Sequence, residues 1–168
     1  MEVNLEKVNS FKEAMGNYPT GVTVVTAIDD EGNPMGLTVN SFASVSLDPL
    51  LILWSIDKRV STYEAFKKVD KFAVNILAEN QAEIASLFAS RTSNPERFGN
   101  SDWDLSKYNL PIIKDTMATM QCKTFKQIEA GDHTILIGEI SKISVEKKSP
   151  LVYHRRKMGA LPAIFHEG

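Results

Sequence analysis

The extended runs of this chain follow one another across turns and do not alternate regularly with helices, and that pattern narrows the possible folds more than any motif does. Gly21-Val22-Thr23-Val24-Val25-Thr26-Ala27-Ile28 is β-branched and partly alternating. Asp29-Asp30-Glu31-Gly32-Asn33-Pro34 is a dense turn signal leading into a second extended stretch, Gly36 to Leu47, so the pair reads as a hairpin. Leu50 to Ile56 is a continuous apolar run of the length expected for a strand covered on both faces. Phe72–Leu77, Ala118–Ile128, Thr134–Val145 and the short edge Leu151–Val152–Tyr153 complete the set, the two long runs flanking the turn Glu129-Ala130-Gly131-Asp132-His133. Helices are few: Phe11 to Met15, a segment to about Val69 opened by the capping-box spacing of Ser61 and Glu64, and a segment opened by Asn80-Gln81-Ala82-Glu83 with Ile84, Leu87 and Phe88 on its buried side. Ser90 to Pro111 lacks clear periodicity, and a loop that long marks a lid, a binding loop or disorder. The pattern predicts a mainly β chain, an antiparallel β-barrel with a few covering helices.

One domain spanning residues 1–168 is expected, since at this length roughly two-thirds of the unfolded surface can be buried without disulfide or metal. Cys122, the only cysteine, excludes an internal disulfide and a thiolate-rich zinc site, and its mid-strand apolar setting predicts an inert buried thiol. With 19 Lys+Arg against 21 Asp+Glu the net charge of −2 gives no pull toward nucleic acid or anionic lipid, and Lys147-Lys148 and Arg155-Arg156-Lys157 read as solvated faces. Charges throughout Met1 to Met15, and no apolar run long enough to span a bilayer, predict a cytoplasmic address. There is no Rossmann or Walker glycine pattern and no Gly-x-Ser-x-Gly elbow, and His133, His154 and His166 are too scattered for a metal site.

Four features can carry chemistry. Gly36 to Leu47 has no charge: Thr38, Asn40, Phe42, Ser44 and Ser46 share one face, and Leu37, Val39, Ser41, Ala43, Val45 and Leu47 the other. Such a strand suits the wall of a site for a flat heteroaromatic ligand, or it is a bent strand whose hydroxyls bond neighbouring backbone. Lys58-Arg59-Val60-Ser61-Thr62 brings cations and hydroxyls to a helix start, either as an anion site or as a solvated turn in which Ser61 only caps. The turn at Gly131-Asp132-His133 has a His that faces water or a site. The loop holding Arg91, Arg97, Phe98 and Trp103 either closes over a ligand or packs on the surface.

Taken in order, these pieces resemble the flavin reductase family, the split-barrel flavoproteins that supply reduced flavin to two-component monooxygenases. The resemblance runs from Phe11 to about Gly159 and rests on Thr20 to Thr26, Gly36 to Phe42 with Ser44 to Pro49, Phe72 to Leu77, Ala130-Gly131-Asp132-His133-Thr134 with Gly138-Glu139, and Pro150 to Tyr153. It implies a split β-barrel binding FMN or FAD, with NADH or NADPH as cosubstrate, in a homodimer with a monooxygenase partner. Gly36, Leu37, Thr38, Asn40 and Ser41 would border the isoalloxazine, and Ser55, Lys58, Ser61 and Thr62 would hold the phosphate. Ala89 and Arg97 would close the site, and His133 would lie near the nicotinamide. The loop between Ser90 and Phe98 is slightly longer than is usual in the family. Hydride transfer between stacked rings requires positioning more than acid–base groups, which agrees with the lack of an obvious nucleophile or carboxylate pair. A non-enzymatic flavin store or electron relay is a second reading, and a haem- or pyridoxal-phosphate-binding barrel a third, disfavoured because no His or Cys is placed as an axial ligand.

Overall fold

The computed structural model describes residues 3–166, so positions 1, 2, 167 and 168 of the expected single domain lie outside the described residues. In chain order the elements are α1 (Leu5–Asn17), β1 (Thr20–Gly21), β2 (Thr23–Ile28), β3 (Pro34–Val39), β4 (Ala43–Leu47), β5 (Leu50–Asp57), α2 (Tyr63–Lys68), β6 (Lys71–Ile76), α3 (Ala82–Ala89) and α4 (Asn94–Gly99). The hairpin β7 (Trp103–Leu105) and β8 (Pro111–Ile113) follows, then the long β9 (Ala118–Ala130) and β10 (His133–Val145), then β11 (Val152–His154) and β12 (Lys157–Gly159), and last a single 3₁₀ turn (Ala163–Phe165).

Seven strands form one sheet in the order β3-β2-β6-β9-β10-β5-β4, and every neighbouring pair is antiparallel. The mainly β, antiparallel class is therefore as expected, but closure into a barrel is not observed: β3 and β4 are hydrogen-bonded edges that do not pair with each other. The chain passes from one edge to the other through the connection Asn40 to Phe42. Its Ser41 hydroxyl takes the backbone of Ser55 on the β5 edge just beyond the Ala43–Leu53 pair, donating to the Ser55 carbonyl at 3.1 Å and accepting from the Ser55 amide at 2.9 Å. The single stretch expected from Gly36 to Leu47 is accordingly two strands on opposite edges.

β2 is buried along most of its length because both of its faces are covered. Val25 and Ala27 join Met35, Leu37, Trp54, Phe66, Phe72 and Leu136 inside the curl of the sheet, whereas Val22 and Val24 join Ala85, Phe88, Phe98 and Leu151 beneath α3 and α4. Trp54 is edge-on to Phe66 at 5.2 Å and to Phe72 at 5.8 Å, contacts worth about 0.5–1.5 kcal/mol each beyond area burial. Asn75, fully buried on β6, holds the β7–β8 hairpin to the sheet. Its Nδ2 donates to the Val24 carbonyl at 2.9 Å and its Oδ1 accepts from the Ile113 amide at 3.0 Å.

Several local expectations give way to tertiary or capping chemistry. α1 starts at Leu5, well before Phe11, because Asn4 caps it through a 3.1 Å bond from the Lys7 amide. Ser61 does not cap α2: the cap residue is Thr62, whose φ of −91° and ψ of 1° leave its hydroxyl without a capping bond. The cap of α3 is Gln81, whose amide instead accepts from the Ala78 N–H and donates to the Lys114 carbonyl. The segment from Ser90 to Pro111 is not an irregular lid: it holds α4, capped by Ser93, and β7, with Arg97 and Phe98 buried.

Candidate active site

The neutral wall of β3 and the turn after β5 meet. Where β3, the β5–α2 turn and the end of α3 converge, a cavity of about 530 Å³ is lined by Leu37, Thr38, Ser61, Thr62, Ala89 and Arg97, together with Arg59, Ser90, Arg91 and Thr92. Thr38 and Ala89 also line a second cavity of about 230 Å³ that adds Val39, Asn40, Tyr153 and Met158, so the two cavities adjoin at these residues. On the other side of the β3–β4 connection, Asn40 and Ser41 border a third space of about 680 Å³ with Tyr18, Thr20, Phe42 and others.

The hydroxyls on this wall serve the fold and the cavity at once. Thr38 Oγ1 donates to the Ala85 carbonyl at 2.7 Å, tying β3 to α3, and its oxygen keeps its acceptor capacity toward the cavities it lines. Ser41 is committed to the Ser55 backbone as described, so Ser55 enters the site only as the residue that anchors the Asn40–Phe42 connection. Ser61, freed from capping, is exposed on the cavity of about 530 Å³. Gly36 lies behind the wall. A Cβ there would fall 2.9 Å from the Phe88 ring and 3.2 Å from the Val25 carbonyl, so only glycine lets α3 approach.

Arg97 is the strut of the site. It is only 9% exposed; its Nη1 donates to the Gly36 carbonyl at 2.7 Å and its Nη2 to the Ser90 carbonyl, joining β3 to the α3–α4 connection. Its Nε is buried without a partner, and burial lowers its pKa while the guanidinium stays charged.

Lys58 points to the β9–β10 hairpin. Its Nζ is 2.5 Å from the Glu129 carboxylate and its amide bonds the Asp132 carbonyl at 3.0 Å, which continues the β5–β10 edge and turns the side chain to the β9–β10 hairpin. The pair holds the Glu129 carboxyl below and the Lys58 ammonium above their ordinary pKa values. Lys58 is not among the residues lining the cavity of about 530 Å³; the cations there are Arg59, Arg91 and Arg97. Arg59 is itself braced by a forked bond to Asp57, which holds that carboxyl far below the usual carboxylate range.

His133 opens β10 opposite Asp57, and its ring Nδ1 lies 2.7 Å from Asp132 Oδ1 with the side chain 41% exposed. The hydrogen bond to His133 lowers the Asp132 pKa. Gly131 has a φ of +66°, the left-handed conformation that lets the strand reverse there. His133 does not line the two adjoining cavities. Arg91, Ser90 and Thr92 were recognisable only as loop residues, and Tyr153 and Met158 only as an edge, because nothing local signals that two distant segments border one cavity.

The family model for the flavin reductase like domain matches residues 15–162. The chain belongs to the flavin reductase-like family. Within that family it is 44% identical over 151 residues to the reductase component of the flavin-dependent trigonelline monooxygenase of Acinetobacter baylyi, covering 90% of this chain and 48% of the relative. It is 42% identical over 148 residues to the FMN reductase (NADH) SmoA of Agrobacterium fabrum, covering 88% of this chain and 83% of the relative. The chain thus spans about half of the first relative and most of the second. The solved NADH:FAD oxidoreductase SgcE6 of Streptomyces globisporus, in complex with NAD and FAD fragments, superposes with a TM-score of 0.88 at 29% identity over 97% of this chain and 98% of that one.

The donor set fits a flavin. An uncharged wall with backbone and amide groups suits the ring, and hydroxyls beside guanidiniums suit a phosphate. The partnerless Arg97 Nε is a buried donor at the edge of that space. Among the described residues no group of His, Cys, Asp and Glu is placed to hold a metal, and no helix is long and apolar enough to cross a membrane.

Proposed function

We propose that this chain is an NAD(P)H-dependent flavin reductase that supplies reduced FMN or FAD to a partner monooxygenase. The supporting observation is that a neutral ring-sized cavity adjoins, at Thr38 and Ala89, one rich in hydroxyls and guanidiniums. When bound, the flavin supplies the redox chemistry by accepting a hydride from the nicotinamide. Gly36, Leu37, Thr38, Asn40 and Ser41 shape the wall that receives the ring, and the Ser41 hydroxyl keeps that wall in place on β5. Ser61, Thr62 and Arg91 hold the phosphate, Arg59 adds positive charge, and Lys58 acts only as a more distant cation whose field is offset by Glu129. Ala89, small and exposed at the end of α3, stands where the two cavities adjoin, and Arg97 ties β3 to the α3–α4 connection beside the larger of them. His133, oriented by Asp132, positions the nicotinamide without taking a proton.

In the same reading the protein is a homodimer. α1 buries none of its residues and exposes Leu5, Phe11 and Met15 at 73%, 66% and 51%, and β4 exposes Leu47 at 88%; apolar surface of this kind is usually covered by a partner. The cytoplasm, where NAD(P)H is produced, is its compartment. The decisive experiment follows NADH and NADPH consumption with FMN, FAD or riboflavin in excess. Many turnovers support the reductase; oxidation that stops at one equivalent of bound flavin overturns it in favour of a flavin store or electron relay.

A further inference from the structure

Thr62 opens α2 without a capping bond, and a helix of six residues gives little support of its own to the turn before it. That turn, Lys58 to Thr62, is the one to which the phosphate is assigned, and the side chain that follows it supplies the missing hold. Tyr63 turns into the core, 6% exposed, and its hydroxyl lies 2.8 Å from the hydroxyl of the fully buried Thr134. Thr134 stands opposite Ile56 on β10, directly after His133. One hydrogen bond therefore joins the residue after the phosphate turn to the residue after the histidine assigned to the nicotinamide.

The polarity of that bond is set by a third group. Thr134 Oγ1 also donates to Glu129 Oε1 at 3.4 Å, and an ionised carboxylate only accepts, so the Thr134 proton goes to Glu129 and the Tyr63 proton to Thr134. The Lys58 ammonium keeps Glu129 ionised at the far end of the chain of bonds. The backbone closes the same junction: the Lys58 amide donates to the Asp132 carbonyl at 3.0 Å, and Asp57 pairs with His133 across the β5–β10 ladder. β10 is held on both sides by β9 and β5, so it is the turn that the tyrosine restrains.

We propose that Tyr63 is a positioning residue, whose hydroxyl on Thr134 sets the phosphate turn Ser61–Thr62 against the strand that carries His133, and with it the distance between the flavin phosphate and the nicotinamide. The inference rests on the flavin-site reading and adds to it two residues that line neither of its adjoining cavities.

The test is the double variant Tyr63→Phe with Thr134→Val. It removes both hydroxyls, so neither is left buried and unpaired, and the urea midpoint is expected to stay near that of the parent. Two readouts are expected to fall about threefold or more all the same: the ratio of FMN to riboflavin affinity, followed by flavin fluorescence, and kcat/KM for NADH at saturating FMN. A smaller fall in either overturns the proposal, because a purely structural role is restored together with the stability. Thr134→Ser keeps the hydroxyl and is expected to retain the parent values; a loss equal to that of the double variant likewise overturns it. Should the double variant unfold more readily than the parent, Tyr63→Phe alone, which leaves Thr134 bonded to Glu129, is judged by the same two readouts. Ser61→Ala with Arg91→Ala separates this inference from the reading beneath it. If that variant binds FMN as the parent does, the phosphate turn is misplaced and both fall; if it loses FMN while the Tyr63 variant does not, only the role of Tyr63 falls. A parent that binds flavin without consuming NADH sinks the reductase reading, and the binding ratio alone then decides this one.

Discussion

The buried guanidinium of Arg97 donates through Nη1 to the carbonyl of Gly36, 2.7 Å away and on another element of the fold. That bond runs from α4 to the strand forming the neutral wall, so the segment after α3 cannot move independently of the ring-sized cavity. It also ties the segment from Ser90 to Pro111 to the sheet despite its lack of periodicity: the charge is desolvated and forked between two carbonyls, and releasing it would leave both unpaired.

Arg97→Met should therefore lower stability by about 2–4 kcal/mol, since it strands the Gly36 and Ser90 carbonyls, and it should weaken flavin binding as the wall loosens. Urea unfolding checks this. A midpoint indistinguishable from the parent would mean that water replaces the guanidinium without cost.

The phosphate assignment separates Lys58 from its neighbours. Ser61→Ala with Arg91→Ala should weaken FMN binding by roughly two orders of magnitude, at about 1.5–3 kcal/mol for each charge-assisted bond, and leave riboflavin unaffected. Lys58→Met, which removes a cation already paired with Glu129, should change FMN affinity by less than about threefold. A large loss in Lys58→Met alone, measured by flavin fluorescence, would restore Lys58 as the primary phosphate ligand.

His133→Ala should lower kcat/KM for the nicotinamide by roughly one to two orders of magnitude with FMN affinity and thermal stability nearly unchanged. Asp132→Asn should reproduce part of that loss by releasing the ring that Asp132 Oδ1 holds at 2.7 Å. Unaltered kinetics in His133→Ala would leave His133 as a turn residue facing water.

Burial pushes the Cys122 thiol up to about 12, so thiol reagents at pH 8 should react with it only after unfolding. The sign of the pH dependence follows from the neutral form being common to both states below the ordinary value of 9.0. Above it the unfolded chain gains a thiolate that the folded chain refuses, and stability declines as pH rises from 9.0 toward about 12. Cys122→Ser should flatten that decline in urea titrations; an unchanged slope would assign it to other groups.

Antiparallel strands, the neutral run from Gly36 to Leu47 and the His133 turn were legible in the sequence because each is written in local chemistry: β-branching, turn residues, the absence of charge. The same local signals misjudged the capping role of Ser61, which is overridden by the backbone of Thr62, and could not show that Lys58 pairs with Glu129, which is distant in the chain. The connection Asn40 to Phe42 is fastened by one Ser41 hydroxyl meeting the Ser55 backbone, a contact that only the folded sheet creates. Likewise, Thr38, Ala89, Arg91, Tyr153 and Met158 come from separate segments, and what unites them is the packing of α3 on the strand behind Gly36 and the return of the last ribbon to the cavity. Strand identity, strand spacing and the residue types at the site could be read from the chain itself, because they follow from side-chain chemistry within a few positions. Which charges face the cavity and which neutralise one another emerged only on folding, because that depends on through-space distance between residues far apart in the chain.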